Sequence, residues 1–154
     1  MAGKNTYKFY MSRWIDAEWE AAVSIEDYFD GLRYAECKGL SKYGKIKNIY
    51  TETYAETDEL RAYIPAPGGI ARENTDIEFV FVFIGDNRRD VYDKFVNWLS
   101  GYKIKYWDDC RYREVEMVLI EAIEPSDDEL YGMTPFIRGT FKFKNLKGQT
   151  IKHT

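Results

Sequence analysis

Basic excess, histidine, cysteine and long hydrophobic runs are all scarce in this sequence, and each scarcity removes a class of function. The 154 residues carry 22 Lys and Arg against 26 Asp and Glu, a net charge of −4, with the cations dispersed among the acids. A chain that grips nucleic acid by its phosphates needs a basic face, so sequence-specific DNA binding is not expected. Cys37 and Cys110 lie far apart and match no metal-ligand spacing, and reduced structural thiols are the expectation. His153, the single histidine, stands one residue from the end of the chain, where disorder is usual and a catalytic or ligand role is not expected. No window approaches the roughly 20 apolar residues of a membrane-spanning helix. Lys4, Lys8, Arg13, Asp16 and Glu18 interrupt every apolar stretch near the start, so a protein without a secretory leader, kept inside the cell that makes it, is expected.

What the chain has in abundance is aromatic residues: 17% of the total, including thirteen Tyr and four Trp. These favour strands and interfaces, where a rigid ring supplies large contact area. One domain accommodates the length, and a domain of this size buries roughly 68–70% of its unfolded surface without a metal or disulfide staple.

The segment from Asp76 to Ile123 carries the clearest punctuation. Ile77–Ile84 is an almost unbroken β-branched and aromatic run that Gly85 and Asp86 stop. Asp86 can then cap a helix over about residues 87–100, ended by Gly101. In it Val91, Phe95, Trp98 and Leu99 form an apolar stripe, widened by Tyr92 and Val96, that predicts a helix lying on a sheet. Tyr102, Ile104 and Tyr106 alternate with Lys103 and Lys105, Asp108-Asp109 predicts a turn, and Val115, Met117 and Leu119 share one face of the next strand. Further on, Ile137, Phe141 and Phe143 face inward and Arg138, Thr140, Lys142 and Lys144 outward. Gly139 falls in phase with the inward set, which marks a bulge or a close approach.

The first half is less regular. Tyr7, Phe9 and Met11 alternate as in a half-buried strand, and a strand is predicted over Ala21–Ile25. Short strands near Ala35–Leu40, Asn48–Tyr54 and Leu60–Ile64 are separated by acidic or Gly-bearing turns. Pro65-Ala66-Pro67-Gly68-Gly69 opens a loop reaching to about Asn74, stiffened by its prolines and freed by its glycines. Many short strands and one helix predict a mainly β fold, a β-sandwich or open barrel of antiparallel strands with one flanking α-helix.

With these residues in view, the run Ile77-Glu78-Phe79-Val80-Phe81-Val82-Phe83-Ile84-Gly85-Asp86, then Tyr92-Asp93-Lys94-Phe95 with Trp98-Leu99-Ser100-Gly101, then Lys103-Ile104-Lys105-Tyr106-Trp107-Asp108-Asp109 and Arg111-Tyr112-Arg113, resembles tail components of long-tailed bacteriophages and prophages. The likeness is to the N-terminal domain of distal tail proteins and to related tail-tube proteins, and Asp30-Gly31-Leu32-Arg33-Tyr34, Gly39-Leu40 and Gly44–Asn48 extend it. The resemblance implies a non-enzymatic β-sandwich that assembles with itself, commonly as a hexameric ring. Such rings bind other tail proteins and surround a channel through which DNA passes without sequence-specific contact. It also implies a place in the virion tail, reached from the bacterial cytoplasm. The chain lacks the long C-terminal extension of full-length distal tail proteins, so distal tail protein, tube subunit and tail-like protein of a genomic island all stay open.

Candidate sites follow, each beside a plainer reading. Pro65, Pro67, Gly68 and Gly69 are a candidate arm clasping a neighbouring subunit, or else a solvated hairpin tip. Arg88 and Arg89 stand in the first helical turn, where the dipole disfavours cations by ~0.3–1 kcal/mol. A neighbour's acids would relieve them, as would a local pair with Asp86, Asp90 or Asp93. Asp127-Asp128-Glu129 lacks the alternating spacing of a Ca²⁺ loop and reads as solvated. Glu114 and Glu116, roughly 6.6–6.8 Å apart along one strand face, have the separation of a glycosidase pair but read as a wet face. Tyr43, Tyr50, Tyr54 and Tyr63 either line a ligand cleft, as in a monomeric binding module, or serve core and interface. No cofactor or metal motif is present.

Overall fold

In the computed structural model the described residues are 4–47, 50–54, 59–63 and 71–153. The strands are β1 (Phe9–Ile15), β2 (Glu18–Trp19), β3 (Val23–Ser24), β4 (Leu32–Lys38), β5 (Tyr50–Tyr54), β6 (Glu59–Tyr63), β7 (Thr75–Ile84), β8 (Lys103–Asp108), β9 (Arg113–Ala122), β10 (Glu129–Tyr131), β11 (Thr134–Asn145) and β12 (Ile151–Lys152). Among the described residues two helices accompany them, α1 (Ile25–Tyr28) and α2 (Arg88–Leu99).

All strand pairs are antiparallel, and the main sheet runs β2-β1-β8-β9-β11-β7-β4. β7 and β11 form its spine, in register from Thr75↔Asn145 to Ile84↔Phe136. Among the described residues β5 and β6 pair only with each other.

The sheet is open, yet its two ends face one another across a shared core in the manner of a sandwich. Phe9 of β1 stacks on Tyr34 of β4 with ring centroids 4.0 Å apart. Midway along, Phe79 of β7 meets Tyr106 of β8 edge-on at 4.9 Å. No backbone ladder joins β1 to β4; a side chain does that work. The carboxylate of Glu26 in α1, 4% exposed, accepts the Tyr34 amide at 2.9 Å, the Asn5 amide at 2.9 Å and the Asn5 side-chain amide. A buried charge persists because its oxygens are occupied by donors.

All nine Phe are buried, whereas among the described tyrosines only Tyr106 is. Phe79, Phe81, Phe83, Phe141 and Phe143 are fully buried on β7 and β11, and Phe95 of α2 drops among them, 5.1 Å from Phe81 and 5.3 Å from Phe141. Edge-to-face contact of this kind adds about 0.5–1.5 kcal/mol per pair beyond area burial. Leu99 follows Phe95 by one turn and is equally buried, so the predicted apolar stripe is the face that meets the sheet.

Gly139 is a close approach, as its phase predicts: a Cβ there would stand 2.9 Å from the Tyr92 ring of α2. The bulge lies elsewhere. Between Lys142 and Phe143 the register with β9 slips past Ile120, which is left 57% exposed. Ile120 is turned to the outer surface, as a bulged residue can be.

Several sequence expectations need correction. Ala21–Ile25 is not a strand throughout: β3 is two residues long, and Ile25 opens α1 because its side chain is fully buried while the next residue, Glu26, reaches the β1–β4 seam. Asp86 is not the helix cap. Asn87 holds that position, with no side-chain capping bond, and the Arg88 amide and guanidinium both donate to the Gly85 carbonyl. The first strand begins at Phe9, leaving Tyr7 52% exposed. His153 is ordered by a stack on Trp107, centroids 3.8 Å apart, and by its amide bond to the Tyr112 carbonyl at 2.8 Å.

Candidate functional site

The surface features cluster at the two ends of the β7–β11 spine and on the outer face of β1, β8 and β9. At the end where β7 finishes, Arg88 and Arg89 rise from the first turn of α2. Arg88 Nε donates to Asp128 Oδ1 at 3.0 Å and Arg89 Nη2 to the same oxygen at 3.2 Å. The hydrogen bond from Arg88 holds the Asp128 carboxyl below its usual range, and Asp128 in turn raises Arg88. Both arginines are thus relieved within the chain, by an acid of the 124–129 loop rather than by Asp86, Asp90 or Asp93. That loop ends in β10, which sequence reading missed because three residues carry no periodicity. β10 and β11 form a hairpin with a two-residue turn at Gly132-Met133, where the φ of +62° suits glycine. Leu130, Tyr131 and Met133 are 70%, 64% and 94% exposed there. At the same end of the spine a groove of about 430 Å³ is lined in part by Tyr28, Asp30, Ile84, Asp86, Asp90 and Lys94.

The opposite end of the spine has the reverse character. Lys38, Lys42, Lys142 and Lys144, with Asp76 and Glu78, surround Ile120 and line a groove of about 550 Å³. Among the described residues only Lys144 of these lysines is ion-paired, with Asp76. Pro65, Pro67, Gly68 and Gly69, the candidate arm, lie outside the described residues.

On the outer face of β1, β8 and β9, Trp14 and Trp19 meet edge-on at 5.0 Å across the β1–β2 hairpin. The Lys103 ammonium sits 4.6 Å from the Trp14 ring, and that of Lys105 sits 4.5 Å from Trp19. Glu116 pairs with Lys103 at 3.4 Å and with Lys147, while Glu114 lies 3.6 Å from His153 Nδ1. Burial works to raise the Glu116 pKa, but the lysines outweigh it and the carboxyl is lowered. Lowering is opposite to what a glycosidase general acid requires. The groove here, about 320 Å³, is therefore aromatic and cationic, with its ring faces partly covered by lysines. The aromatic rings of this groove are tryptophans, while Tyr43 lies under the Arg72 guanidinium at 4.9 Å and Tyr50 and Tyr63 are cross-strand partners in the β5–β6 hairpin.

Neither cysteine is in a disulfide. Cys37 is half-buried, and burial pushes its thiol up to about 12, which suppresses the reactive thiolate. Among the described residues no group of three or more His, Cys, Asp or Glu is placed to hold a metal, and no helix is long and apolar enough to cross a membrane. The predicted Asp108-Asp109 turn is fastened by a buried acid: Asp108 accepts the Arg111 amide at 2.6 Å, its guanidinium at 2.7 Å and the Tyr106 hydroxyl at 3.1 Å.

No protein-family model matches the chain, and no curated protein matches it in sequence. Among solved structures, the crystal structure of the Dit protein (gp 19.1) of SPP1, described as a paradigm of the hub adsorption apparatus in phages infecting Gram-positive bacteria, matches with a TM-score of 0.52 at 15% identity. The match covers 94% of this chain and 52% of that one, so the chain spans about half the length of the phage protein. At this identity the likeness is one of fold.

Proposed function

We propose that this protein is a non-enzymatic structural component of a phage or prophage tail, of distal tail or tail-tube type. It assembles with itself, as a hexameric ring by the sequence resemblance, and binds other tail proteins. The observation that carries this reading is the fold likeness to a phage hub protein over nearly the whole chain. It is supported by the surface: large apolar side chains are displayed on a hairpin tip, and the Glu114–Glu116 pair is engaged by cations and not tuned for acid catalysis. In the ring, DNA passes through the channel without sequence-specific contact, and the chain resides in the virion tail after a passage through the bacterial cytoplasm. The acidic balance suits a lumen that repels phosphates and lets DNA slide.

The test is solution mass by light scattering over a concentration series, with negative-stain images of the chain alone and mixed with tail proteins. Rings with a central hole, or stable complexes with those partners, are the expected result. A monodisperse monomer that also binds no tail protein refutes the proposal. The Trp14–Trp19 groove favours one alternative, a monomeric β-sandwich module that binds a ligand on aromatic rings. On that reading a ligand screen finds saturable quenching of tryptophan fluorescence that Trp19→Ala abolishes.

A further inference from the structure

The two ends of the β7–β11 spine differ in charge and each exposes apolar surface, and this pairing has a direction. At one end a groove sets three carboxylates, Asp30, Asp86 and Asp90, against one ammonium, Lys94. Asp128 pairs with both nearby arginines, one carboxylate against two guanidiniums, and Asp30, Asp86 and Asp90 have no ion-pair partner among the described residues. From the same end project Leu130, Tyr131 and Met133. At the other end four lysines stand against two acids around the exposed Ile120. The lining of the first groove thus carries a net of about two negative charges and that of the second a net of about two positive ones. The tip and the Ile120 groove are separated by most of β11, roughly 25–30 Å at the rise of a strand, so they cannot satisfy each other within one molecule.

We infer that the acidic, apolar-tipped end of one copy docks on the lysine-rimmed Ile120 groove of the next copy, a head-to-tail contact between identical chains. This inference rests on the tail-component reading and specifies the surface through which that assembly forms. Heterologous contacts of this kind leave one free tip and one free groove at every step, so they continue until a ring closes or a filament grows. The apolar side chains supply contact area, and the opposed charges select the tip-to-groove orientation over tip-to-tip or groove-to-groove, which would bring like charges together. Ile120 is available for this because the β9 bulge turns it out of the ladder.

Two full-length variants test the inference, each altered only at residues more than half exposed. Leu130→Glu with Met133→Glu disables the tip, and Ile120→Glu disables the groove; unchanged far-UV circular dichroism and melting temperature show that each folds. Expected from light scattering and sedimentation is that the wild type assembles and that either variant alone loses at least about tenfold in association constant. An equimolar mixture should form dimers and nothing larger, because only one sound tip and one sound groove remain per pair. If the groove variant misfolds, Lys42→Glu with Lys142→Glu replaces it. Assembly by both variants as in the wild type overturns this surface while leaving the tail reading intact. A mixture that stays monomeric overturns it too. A wild type that is monomeric alone but binds tail proteins also refutes the self-contact and not the tail role.

Discussion

Replacing Glu26 by glutamine preserves the shape of the side chain at the β1–β4 seam and removes only its charge and one acceptor. The native carboxylate takes three hydrogen bonds, from the Asn5 amide, the Asn5 side chain and the Tyr34 amide. A glutamine has one oxygen, so whichever way it turns, its NH₂ must face at least one of these donors. One hydrogen bond to a charged group is lost, about 1.5–3 kcal/mol, and the donor left facing another donor is without a partner. For a domain of this length each kcal/mol moves the melting temperature by roughly 2–4 °C, so E26Q is expected to melt about 4–8 °C below the wild type. Glu26→Ala, which removes all three acceptors, should fall further. Thermal and urea denaturation followed by tryptophan fluorescence measure the loss. Amide hydrogen exchange locates it, since Tyr34 N–H lies on the edge of β4 away from β7 and should lose protection selectively. A loss below about 0.5 kcal/mol, or unchanged exchange at Tyr34, would show that the seam is held by the Phe9–Tyr34 stack and that the carboxylate contributes little.

Phe95→Ala removes the α2 ring that meets Phe29, Phe81, Phe83 and Phe141, and a loss of about 3–5 kcal/mol is expected in urea denaturation. A loss under about 2 kcal/mol would mean that the core collapses into the space. Gly139→Ala forces its new methyl against Tyr92 and should cost about 1–3 kcal/mol by overpacking; combining it with Tyr92→Ala should recover part of that loss, and strict additivity would refute the steric cause. Glu116, Asp76 and Asp128 are all lowered below their ordinary values of 4.5, 3.8 and 3.8. Groups with depressed folded values contribute their full stability above those ordinary values and lose it as pH falls through the lower folded ones. The urea midpoint should therefore vary little with these groups from pH 7 to about pH 5 and decline below about pH 4.5. Lys147→Ala should shrink the part of the decline due to Glu116, and an unchanged acid limb would contradict that assignment.

Legibility in the sequence followed periodicity. β7, α2, β8 and the inward set of β11 were readable because a long unbroken apolar run, a helical stripe at steps of three and four, and alternation at period two are signals carried within the segment itself. β3, α1 and β10 were not, since two to four residues contain no period and their placement depends on distant partners such as Tyr34 and Phe136. The surface was less visible than the core. Arg88 and Arg89 were flagged by their conflict with the helix dipole, but the acid that resolves it is 39 residues or more away in sequence. Trp14 and Trp19 offered a faint local signal: Asp16-Ala17 between them forms a tight turn with both residues at positive φ. An acid followed by a small residue between two tryptophans is a weak hairpin cue. His153 carried no signal, because what orders it is Trp107 on another strand.

The pairing pattern also makes the molecule mechanically anisotropic. A pull applied lengthwise to β11 loads its whole ladder with β7 in shear, from Thr75↔Asn145 to Ile84↔Phe136, so that many hydrogen bonds must fail at once. A pull that separates β1 from β4 meets no ladder. It peels apart the Phe9–Tyr34 stack, the bonds to the Glu26 carboxylate and the bond from the Asn5 side chain to the Tyr34 carbonyl in succession. Tension along the spine is thus borne stiffly, while tension across the seam yields early and opens the sheet like a hinge.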